Sequence, residues 1–489
     1  MTQRRWIFAD QLGPHFVDPD ENVVLIESHN VWRRRTYHRA KALLILSALR
    51  HRAAELGDRC TYLTSDTYGE SARELGPLRV SDPTSRGARR LVRQLGAEIE
   101  PARGFLTDET TFNEWAESRG KKRLLQEDFY RSVRTRHGIL MSGNRPEGGQ
   151  WNFDADNRQP PPKGQVTLGL RAPWLPTEDD IDAQVREDIA RLERSGVTFI
   201  GNAGPREFAV TRAEALIVLE DFVAHRLPSF GPFEDAVMAQ DRTMAHSRLS
   251  VPLNLGLLRP LEIVEAALAA YESGAAPLAS VEGFIRQVIG WREYVWHLYW
   301  YLGPDYAKSN VLNATTPLPV WFAELRAEDV KARCLSHALA EVRDHGWNHH
   351  IERLMVLGNW ALQRGYDPLE TADWFRRVYL DGYEWVMAAN VIGMALYADG
   401  GVMATKPYAS GGAYIKRMTD FCKGCDYRPD VRVGENACPF TAGYWALIDR
   451  IRPQLEGNHR MAIPLRGLER LADREAVIAQ ESRRGDDAP

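Results

Sequence analysis

Three of the five cysteines lie close together near the C-terminus, and they constrain how this chain can fold. Cys422 and Cys425 form a C-x-x-C pair, and Cys438, followed directly by Pro439, comes after twelve intervening residues. Thiolates spaced this way can hold a metal ion or an iron–sulfur cluster. Such a site needs a fourth ligand, and the remaining cysteines are Cys60 and Cys334. If a cysteine completes the site, the chain must fold back on itself over a long distance.

The composition narrows the class of protein. A chain of 489 residues is too long for one ordinary core, and its length predicts two or three domains. Hydrophobic residues at 44% and charged residues at 26% are typical of a soluble globular protein. The sequence has no run of eighteen apolar residues and opens on a strand-like segment, so we expect a cytoplasmic protein without a membrane segment. The net charge of -4 argues against uniform coating by nucleic acid but allows a local basic groove.

The first 125 residues alternate short apolar runs with helical patterns. Trp6–Ala9, Val23–Ile26 and Tyr62–Thr64 are predicted strands, and residues 37–56 carry apolar side chains at helical spacing. This rhythm predicts an α/β unit with a doubly wound parallel sheet. Ligands bind beyond the carboxyl ends of such strands, which places Asp10, Gln11 and Glu27 near a pocket. On spacing alone, the favoured interpretation is that these are ordinary polar residues at strand ends.

The rest of the chain divides into a linker and a helical part. Residues 147–176 are rich in Gly, Pro, Asn and Asp, which predicts a long ordered linker without regular structure. From Phe208 onward, apolar stripes at helical spacing predict an all-helical domain. The predicted boundaries are residues 1–125 for the α/β domain, 126–205 for the linker region and 206–489 for the helical domain. The predicted helices include residues 211–226, 261–271, 281–301, 347–364 and 368–397.

Two motifs of the helical part combine serines, carboxylates and arginines. His246-Ser-Arg-Leu-Ser250 opens a helix, where hydroxyls and backbone amides could bind an anion, although helix capping by serine is the favoured interpretation. Glu282 and Arg286 lie one helical turn apart, so the simplest expectation is a surface ion pair.

Two further motifs carry histidines and a glycine. His349 and His350 point to different helix faces, so at most one can face a given pocket. Asp381 precedes a segment with Asn390 and Gly393. Gly393 could admit a ring, or it could only let a neighbouring segment pack closely.

Together these motifs bring the sequence close to one known family. The motifs, in chain order, are DQL (Asp10–Leu12), EGFIRQVIGWREY (Glu282–Tyr294), HHIERLM (His349–Met355), Asp381, NVIGM (Asn390–Met394), TKPY (Thr405–Tyr408) and the C-x-x-C…CPF tail. Over nearly its whole length the chain resembles the iron–sulfur bacterial photolyases and cryptochromes, also called prokaryotic (6-4) photolyases. The resemblance implies an N-terminal antenna domain, a long linker and a helical domain that holds FAD.

The resemblance also implies a [4Fe-4S] cluster in the C-terminal part. Its ligands would be Cys334, Cys422, Cys425 and Cys438, with Cys60 left over in the antenna domain. Zinc is the alternative for any four-cysteine site. The Cys-Pro at the end of the run favours iron, because it is typical of ferredoxin-type ligation.

The same resemblance assigns residues to FAD. Ser247 and Ser250 would contact its phosphates. Arg353 and Asp381 would form an ion pair beside the isoalloxazine ring, and Asn390 would lie in the segment that runs past the flavin. A reduced anionic flavin needs nearby donors or a cation and protection from solvent. The full set of expected FAD-binding residues is Ser247, Ser250, Glu282, Arg286, Arg353, Asp381 and Asn390.

The implied activity is light-driven repair of the (6-4) pyrimidine-pyrimidone photoproduct in UV-damaged DNA. Repair needs a proton donor beside the flipped-out lesion, and histidine suits this role near neutral pH. His350 is the first candidate and His349 the second. Met394 and Tyr408 are expected to line the lesion pocket. Candidate phosphate contacts are Lys406, Lys416 and Arg417. We expect the protein to act as a monomer.

The sequence departs from its relatives at two auxiliary sites. Trp374 matches an electron-relay position that Tyr follows in relatives, whereas Phe375 follows here, and Trp321 or Trp360 could supply a second relay position. Antenna binding of 6,7-dimethyl-8-ribityllumazine is expected near Asp10 and Glu27, with His38 and Lys41 nearby, but Val31 replaces an acidic residue of lumazine-binding relatives. The alternatives are a cryptochrome-type photoreceptor with the same cofactors and a cluster-stabilised nucleic-acid-binding protein without photochemistry.

Overall fold

The N-terminal part of the computed structural model, which describes residues 3–489, is built on a five-stranded parallel sheet. Its strand order is β3-β2-β1-β4-β5, and every neighbouring pair is parallel. The chain therefore winds first in one direction from β1 and then in the other, as predicted for a doubly wound sheet. The strands are β1 Arg4–Trp6, β2 Val23–Ser28, β3 Cys60–Ser65, β4 Leu78–Ser81 and β5 Glu98–Glu100.

The strand sequences explain the layering. All six residues of β2, VVLIES, are buried, as a strand covered on both faces requires. The predicted strands at residues 23–26 and 62–64 fall inside β2 and β3. The first strand begins and ends earlier than predicted. It covers Arg4–Trp6, and residues 7–9 of the predicted strand follow it toward the carboxyl edge of the sheet.

Most of the remaining chain is helical. The start of several helices can be read from local sequence: Thr67, Asp179 and Thr211 each form a capping box with an acidic residue three positions later. The α-helices are α1 Asn30–Arg33, α2 Arg39–Leu56, α3 Tyr68–Glu74, α4 Arg86–Gln94, α5 Glu109–Ser118, α6 Gln126–His137, α7 Asp180–Arg194, α8 Arg212–His225, α9 Leu227–Phe233, α10 Ser250–Asn254, α11 Pro260–Glu272, α12 Leu278–Ile285, α13 Glu293–Tyr301, α14 Val320–Ala323, α15 Arg333–His345, α16 Asn359–Arg364, α17 Pro368–Val378, α18 Glu384–Met387, α19 Gly412–Met418, α20 Pro439–Arg450, α21 Ala462–Glu469 and α22 Arg474–Arg484.

Three π-helical stretches interrupt or extend these helices: Arg286–Arg292, Glu352–Gly358 and Ala388–Ala395. The first joins α12 to α13, so the helix predicted over residues 281–301 is one continuous helical run. Stretches of π-helix are rare and occur frequently at functional sites. All three contain residues that the resemblance assigns to the flavin or lesion site or that lie beside it.

One predicted helix is broken in the structure. Residues 368–397 were expected to be continuous, but α17 ends at Val378 and α18 begins at Glu384. The break places Asp381 in a loop. A helix predicted from Trp347 begins instead at His350, which leaves His349 in the preceding turn.

The predicted linker and the core complete the architecture. Between the 3-10 turn Glu147–Gly149 and α7, the described chain follows an irregular path over the surface. One hydrophobic core joins side chains from the sheet region, including Ile7 and Leu25, to side chains of the helical region, including Leu255 and Trp296. A second core, around Leu335, Trp360 and Trp374, lies wholly within the helical region. The domain boundaries at 125 and 206 stay predictions.

Candidate active site

The loop between α17 and α18, residues 379–383, is here called the Asp381 loop, and a glycine allows its tight turn. A Cβ atom on Gly382 would lie 2.7–2.9 Å from the carbonyl oxygens of Phe375, Arg376 and Tyr379. Only glycine fits in so small a space. The turn therefore gathers the carbonyl groups at the end of α17 into one inward-facing group.

A buried lysine from the sheet region satisfies those carbonyl groups. Lys41 of α2 donates from Nζ to the carbonyl oxygens of Arg376 at 2.8 Å, Tyr379 at 2.9 Å and Gly382 at 2.6 Å. Burial lowers the pKa of Lys41 to about 7. The Asp381 loop is thus held from behind by the N-terminal part of the chain.

The front of the loop presents a buried ion pair. Arg353 Nη1 donates to Asp381 Oδ1 at 2.7 Å, and Ser250 Oγ donates to Asp381 Oδ2 at 2.7 Å. Burial raises the pKa of the Asp381 carboxyl, but Arg353, Ser250 and Lys41 outweigh that effect and the pKa is lowered. Asp381 is therefore an anion that fixes the Arg353 guanidinium, which also lies 4.1 Å from the centre of the Tyr379 ring.

Ser247 and Asn390 lie on the neighbouring segments. Ser247 Oγ accepts from the Leu249 amide at 3.3 Å, whereas Ser250 begins α10 and is committed to Asp381 rather than to capping. The favoured capping interpretation is wrong for both serines, because the N-cap residue of α10 is Leu249 and no side chain caps this helix. Asn390 is partly exposed on the third π-helical stretch, and its side chain makes no hydrogen bond within residues 3–489. A free amide at such a position is a suitable donor and acceptor for a ligand.

The expectation of a surface ion pair for Glu282 and Arg286 is wrong, because both residues are buried. Glu282 accepts from the Tyr130 hydroxyl at 2.9 Å, and Arg286 donates to Asp154 of the linker at 2.6 Å. A buried charged network of this kind needs all its partners. These residues tie the linker to the helical region.

A cluster of three histidines stands beside the ion pair. His246 stacks on His349 with ring centroids 4.6 Å apart and meets His350 edge to face at 5.4 Å. The His349 side chain is fully buried, whereas that of His350 is 52% exposed. Burial, followed by the charges of His350 and Arg353, lowers the pKa of His349 well below its usual value. The two adjacent histidines differ in environment, as predicted.

His350 lies on a rim with an aspartate, an arginine and a tyrosine. Its Nε2 is 3.6 Å from Asp235 Oδ1. Burial raises the pKa of Asp235, but His350 and Arg158 outweigh it and the pKa is lowered. The charges of Arg158 and Asp235 also act on the hydroxyl of Tyr408, which is 37% exposed. We call His350, Asp235, Arg158 and Tyr408 the rim.

Met394 and Gly393 lie on the third π-helical stretch. Met394 is partly buried against the first core. A Cβ atom on Gly393 would lie 2.4 Å from the Tyr306 hydroxyl and 2.6 Å from an Asp399 carboxylate oxygen. Gly393 therefore serves close packing of protein segments, the second of the two interpretations considered.

Trp374 belongs to a buried aromatic group. Its ring lies 4.6 Å from Phe322 and 6.3 Å from Tyr379, between centroids. Trp321 lies 5.6 Å from Phe322 and 6.2 Å from Trp360. Aromatic rings thus extend from the Asp381 loop through the second core.

Four cysteines from three segments line one cavity beside that core. Cys334 begins α15, Cys422 and Cys425 lie in the loop after α19, and Cys438 precedes α20. Burial, followed by the nearby Cys438 and Cys425, raises the pKa of Cys422 to about 12. Four cysteine side chains that line one cavity form a donor set able to hold a metal centre, so the residues fit the expected site.

The predicted antenna residues are mostly engaged with protein. Glu27 pairs with Arg50 at 3.1 Å and accepts from Tyr62, and His38 Nε2 lies 3.1 Å from the Arg343 carbonyl oxygen. Asp10, beyond the carboxyl end of β1, accepts from the Thr84 hydroxyl. Asp10 and Gln11 line a cavity that also touches Trp385 and Arg292 of the helical region.

Comparison with known proteins decides the family. The chain is 40% identical over 494 aligned residues, 95% of each chain, to a "(6-4) photolyase" of Agrobacterium fabrum. The chain belongs to the bacterial photolyase/cryptochrome family. Residues 5–208 match the family model described as deoxyribodipyrimidine photo-lyase-related protein.

Solved structures show that this photolyase-family chain has the matching fold. A bacterial class III photolyase from Agrobacterium tumefaciens aligns with a TM-score of 0.55 at 16% identity, covering 86% of this chain and 87% of that one. A cryptochrome from Synechocystis sp. PCC6803 aligns with the same TM-score and identity, covering 85% and 88%. The family implies FAD as cofactor.

The structure of this photolyase-family chain brings together most of the predicted helical residues. Ser250, Arg353 and Asp381 form one group, and the histidines and Tyr408 lie beside it. Glu282, Arg286, Glu27 and His38 are engaged in internal networks. No described helix, within residues 3–489, has the length and apolar character needed to cross a membrane.

Sequence reasoning missed several residues of this site. His246 belongs to the His246–Ser250 motif, in which the serines were the predicted ligand contacts. Asp235 and Arg158 lie in segments without a motif. Glu352 stands inside HHIERLM and is fully buried, which its charge did not suggest. Lys41 was expected at the antenna site. Its burial could have been predicted from its position, because this lysine lies in the middle of the apolar face of a predicted helix.

Proposed function

We propose that this protein repairs (6-4) pyrimidine-pyrimidone photoproducts in UV-damaged DNA by light-driven electron transfer from reduced FAD. The observation that carries the proposal is the near full-length match to a (6-4) photolyase. The exposed His350 on a rim next to the Arg353–Asp381 ion pair supports it, because the reaction needs a proton donor and a stabilised anionic flavin side by side.

In this proposal, Arg353 and Asp381 hold the flavin ring, and Ser247, Ser250 and Asn390 complete its contacts. When bound, reduced FAD supplies the electron that opens the lesion. Arg353 carries a positive charge that is kept in place by Asp381, Ser250 and the Tyr379 ring. Glu282 and Arg286 support the pocket from the linker side. The burial of this group would limit the access of solvent to the cofactor.

His350 is the proposed proton donor to the lesion. Its imidazole is exposed on the rim, and its Nε2 lies 3.6 Å from the Asp235 carboxylate. Tyr408 and Met394 line the lesion pocket. Lys406 lies in the TKPY motif, and Lys416 and Arg417 lie on α19. All three side chains are exposed and are the proposed phosphate contacts.

The four cysteines are proposed to bind a [4Fe-4S] cluster that fastens the architecture. Cys334 is 88 residues upstream of Cys422 in the sequence, so the cluster would join α15 to the segment between α19 and α20. Trp374, with Trp321 and Trp360, is the proposed route for electrons that reduce the cofactor. The lumazine antenna is proposed for the cavity at Asp10, where Glu27, His38 and Lys41 shape the surroundings.

The decisive test uses DNA with one defined (6-4) lesion. The reduced, FAD-loaded protein is illuminated with this DNA, and restored bases are quantified by chromatography, with a dark sample as control. We expect light-dependent restoration. If the protein carries full FAD and binds the DNA but restores no bases under illumination, the repair proposal fails, and the cryptochrome-type photoreceptor becomes the better assignment.

A further inference from the structure

A group of buried polar side chains lies directly behind the rim and takes no part in the function proposed so far. It runs from His246 and His349 through Glu352, on the second π-helical stretch, to His337 and Glu341 on α15. His349 and Glu352 are 1% exposed, and the His337 side chain is 22% exposed. The group therefore connects the rim histidine to His337, whose side chain is partly exposed.

The spacing along this group is regular. His349 Nε2 lies 3.6 Å from Glu352 Oε2, and the other oxygen of Glu352 lies 3.8 Å from His337 Nε2. His337 Nε2 lies 4.0 Å from Glu341 Oε1. Each gap is slightly too long for a direct hydrogen bond and is suited to closure by a small side-chain movement.

Several atoms of the group have no hydrogen-bond partner among residues 3–489. They are His246 Nε2, both ring nitrogens of His349, Glu352 Oε1 and Glu341 Oε2. Buried polar atoms are nearly always satisfied, by protein or by ordered water. So many unsatisfied atoms in one place indicate a hydrated hydrogen-bond chain rather than a static core.

Such a chain solves a problem that the rim alone leaves open. A flipped-out lesion covers His350, so the imidazole loses its direct contact with bulk water during repair. Proton exchange must then use a path that the DNA does not block. The side chains behind His350 provide one, because they reach solvent at His337.

We propose that Glu352 is a positioning residue that supplies a proton to the histidine pair at the rim. The proposal rests on the (6-4) repair function proposed above. In the step, the O–H bond of Glu352 breaks, its proton passes through His349 and intervening water to the His350 ring that has given its proton to the lesion, and a Glu352 carboxylate remains. Water at His337 then returns one proton to Glu352, so no proton is consumed by the chain itself.

The charges around Glu352 favour a neutral acid at rest. Burial, followed by Glu341, raises the pKa of Glu352 well above its usual value, and Arg353 and Arg242 oppose this only partly. Burial also lowers the pKa values of His349 and His337, so both rings are neutral acceptors. The titratable and charged groups that face Glu352 from the surrounding elements are His337, Glu341, Arg242, His349, Arg353 and Tyr379.

The resting proton can be tested without measuring repair. Infrared spectra of the FAD-loaded wild-type protein at neutral pH should contain the C=O band of a protonated carboxylic acid, shifted in heavy water. The band should disappear in Glu352→Gln and remain in Glu328→Gln, whose carboxylate is exposed and bound to Arg343. If Glu352→Gln leaves the band of the wild type intact, Glu352 is ionised and the proposal is overturned.

The relay is tested by repair as a function of pH. Glutamine matches the size and neutral charge of the protonated acid but cannot release a proton, so Glu352→Gln should lose repair by roughly 100-fold. Its FAD content, DNA affinity and melting temperature should stay unchanged, and Glu352→Asp should recover part of the activity. The wild type should lose activity once the pH exceeds the raised pKa of Glu352.

The outcomes of the two proposals can be told apart. Repair by Glu352→Gln at the wild-type rate over the whole pH range would overturn the relay and leave the repair function intact. Absence of repair in the wild type would instead overturn the repair function, whatever the infrared band shows.

Discussion

Two groups of polar residues, one from each part of the chain, are used in opposite ways. In the sheet half, Glu27, His38 and Lys41 each find their partners within the protein. In the helical half, His246, His349 and Glu352 keep buried atoms without partners among the described residues, and Asn390 makes no side-chain hydrogen bond there. Satisfied groups hold parts of the chain together, whereas unsatisfied ones are available to ligands and protons.

The cysteines follow the same division. Cys60 stands alone in β3, while the four cysteines of the helical half meet in one cavity. Residues of the same type can therefore differ in role. The four cysteines of the helical part differ from Cys60 because several segments bring them together. The following experiments test this contrast, from the largest expected effect to the smallest.

Replacing Cys334 should have the largest effect. Cys334→Ser removes the proposed ligand that joins α15 to the C-terminal segment, so we expect loss of bound iron and sulfide and mostly insoluble protein. Iron, sulfide and zinc analyses of the purified protein provide the measurement. Cys60→Ser is the matched control and should keep metal and solubility; equal losses in both variants would contradict the division.

Replacing His350 should abolish repair without unfolding the protein. His350→Ala removes the proposed proton donor, and we expect a loss of about 100-fold or more in repair per absorbed photon, with FAD retained. His38→Ala, in the sheet part, loses the cap of α2 and the contact with the Arg343 carbonyl oxygen, and should cost about 1–2 kcal/mol of stability with repair intact. Undiminished repair by His350→Ala would move the donor role to His349.

Replacing Asp381 should mainly affect stability and flavin binding. Among residues 3–489, Arg353 forms its salt bridge with Asp381. Asp381→Asn leaves the largely buried Arg353 cation without this partner, which should cost about 3 kcal/mol of stability. Urea unfolding and FAD content measure the two effects.

The pH dependence sharpens this prediction. Because the pKa of Asp381 is lowered by folding, its contribution is present at neutral pH and is lost as the pH falls below the ordinary value near 3.8. The stability difference between wild type and Asp381→Asn should shrink over that acidic range. A constant difference would mean that Asp381 is not an anion in the folded protein.

Replacing Glu27 should have the smallest effect. Arg50 keeps a second carboxylate, Asp188 at 2.7 Å, so Glu27→Gln should cost about 1 kcal/mol and leave repair unchanged. The comparison with Asp381→Asn uses the same substitution on a carboxylate paired with arginine in each half. Equal costs in the two variants would show that the halves do not differ in this respect.

Much of the fold could be predicted because its signals are local. Apolar runs predicted β2 and β3, helical spacing predicted α8 and α11, and the proline-rich segment predicted the linker. The break at the Asp381 loop could not be predicted, because it depends on Lys41 satisfying the carbonyls that the broken helix leaves free. The three π-helical stretches also lack a signal in a single sequence.

The candidate site was predicted mainly through its motifs. Those motifs located Arg353, Asp381 and Ser250, but spacing cannot show that the Glu282 and Arg286 pair is buried or that His246 stacks on His349. Residues without a motif, such as Asp235, become visible only when distant segments meet. The chemistry of a motif is thus local, whereas the protonation and pairing of its residues depend on the tertiary structure.

The contact between Lys41 and the Asp381 loop has a consequence for engineering. The loop that presents Asp381 to its partners is clamped by a side chain that the N-terminal part of the chain contributes, so the helical part alone lacks a component of its own pocket. An N-terminal part taken from another protein would have to bring a lysine at the same place. A change in the N-terminal part of this chain is therefore also a change at the Asp381 loop.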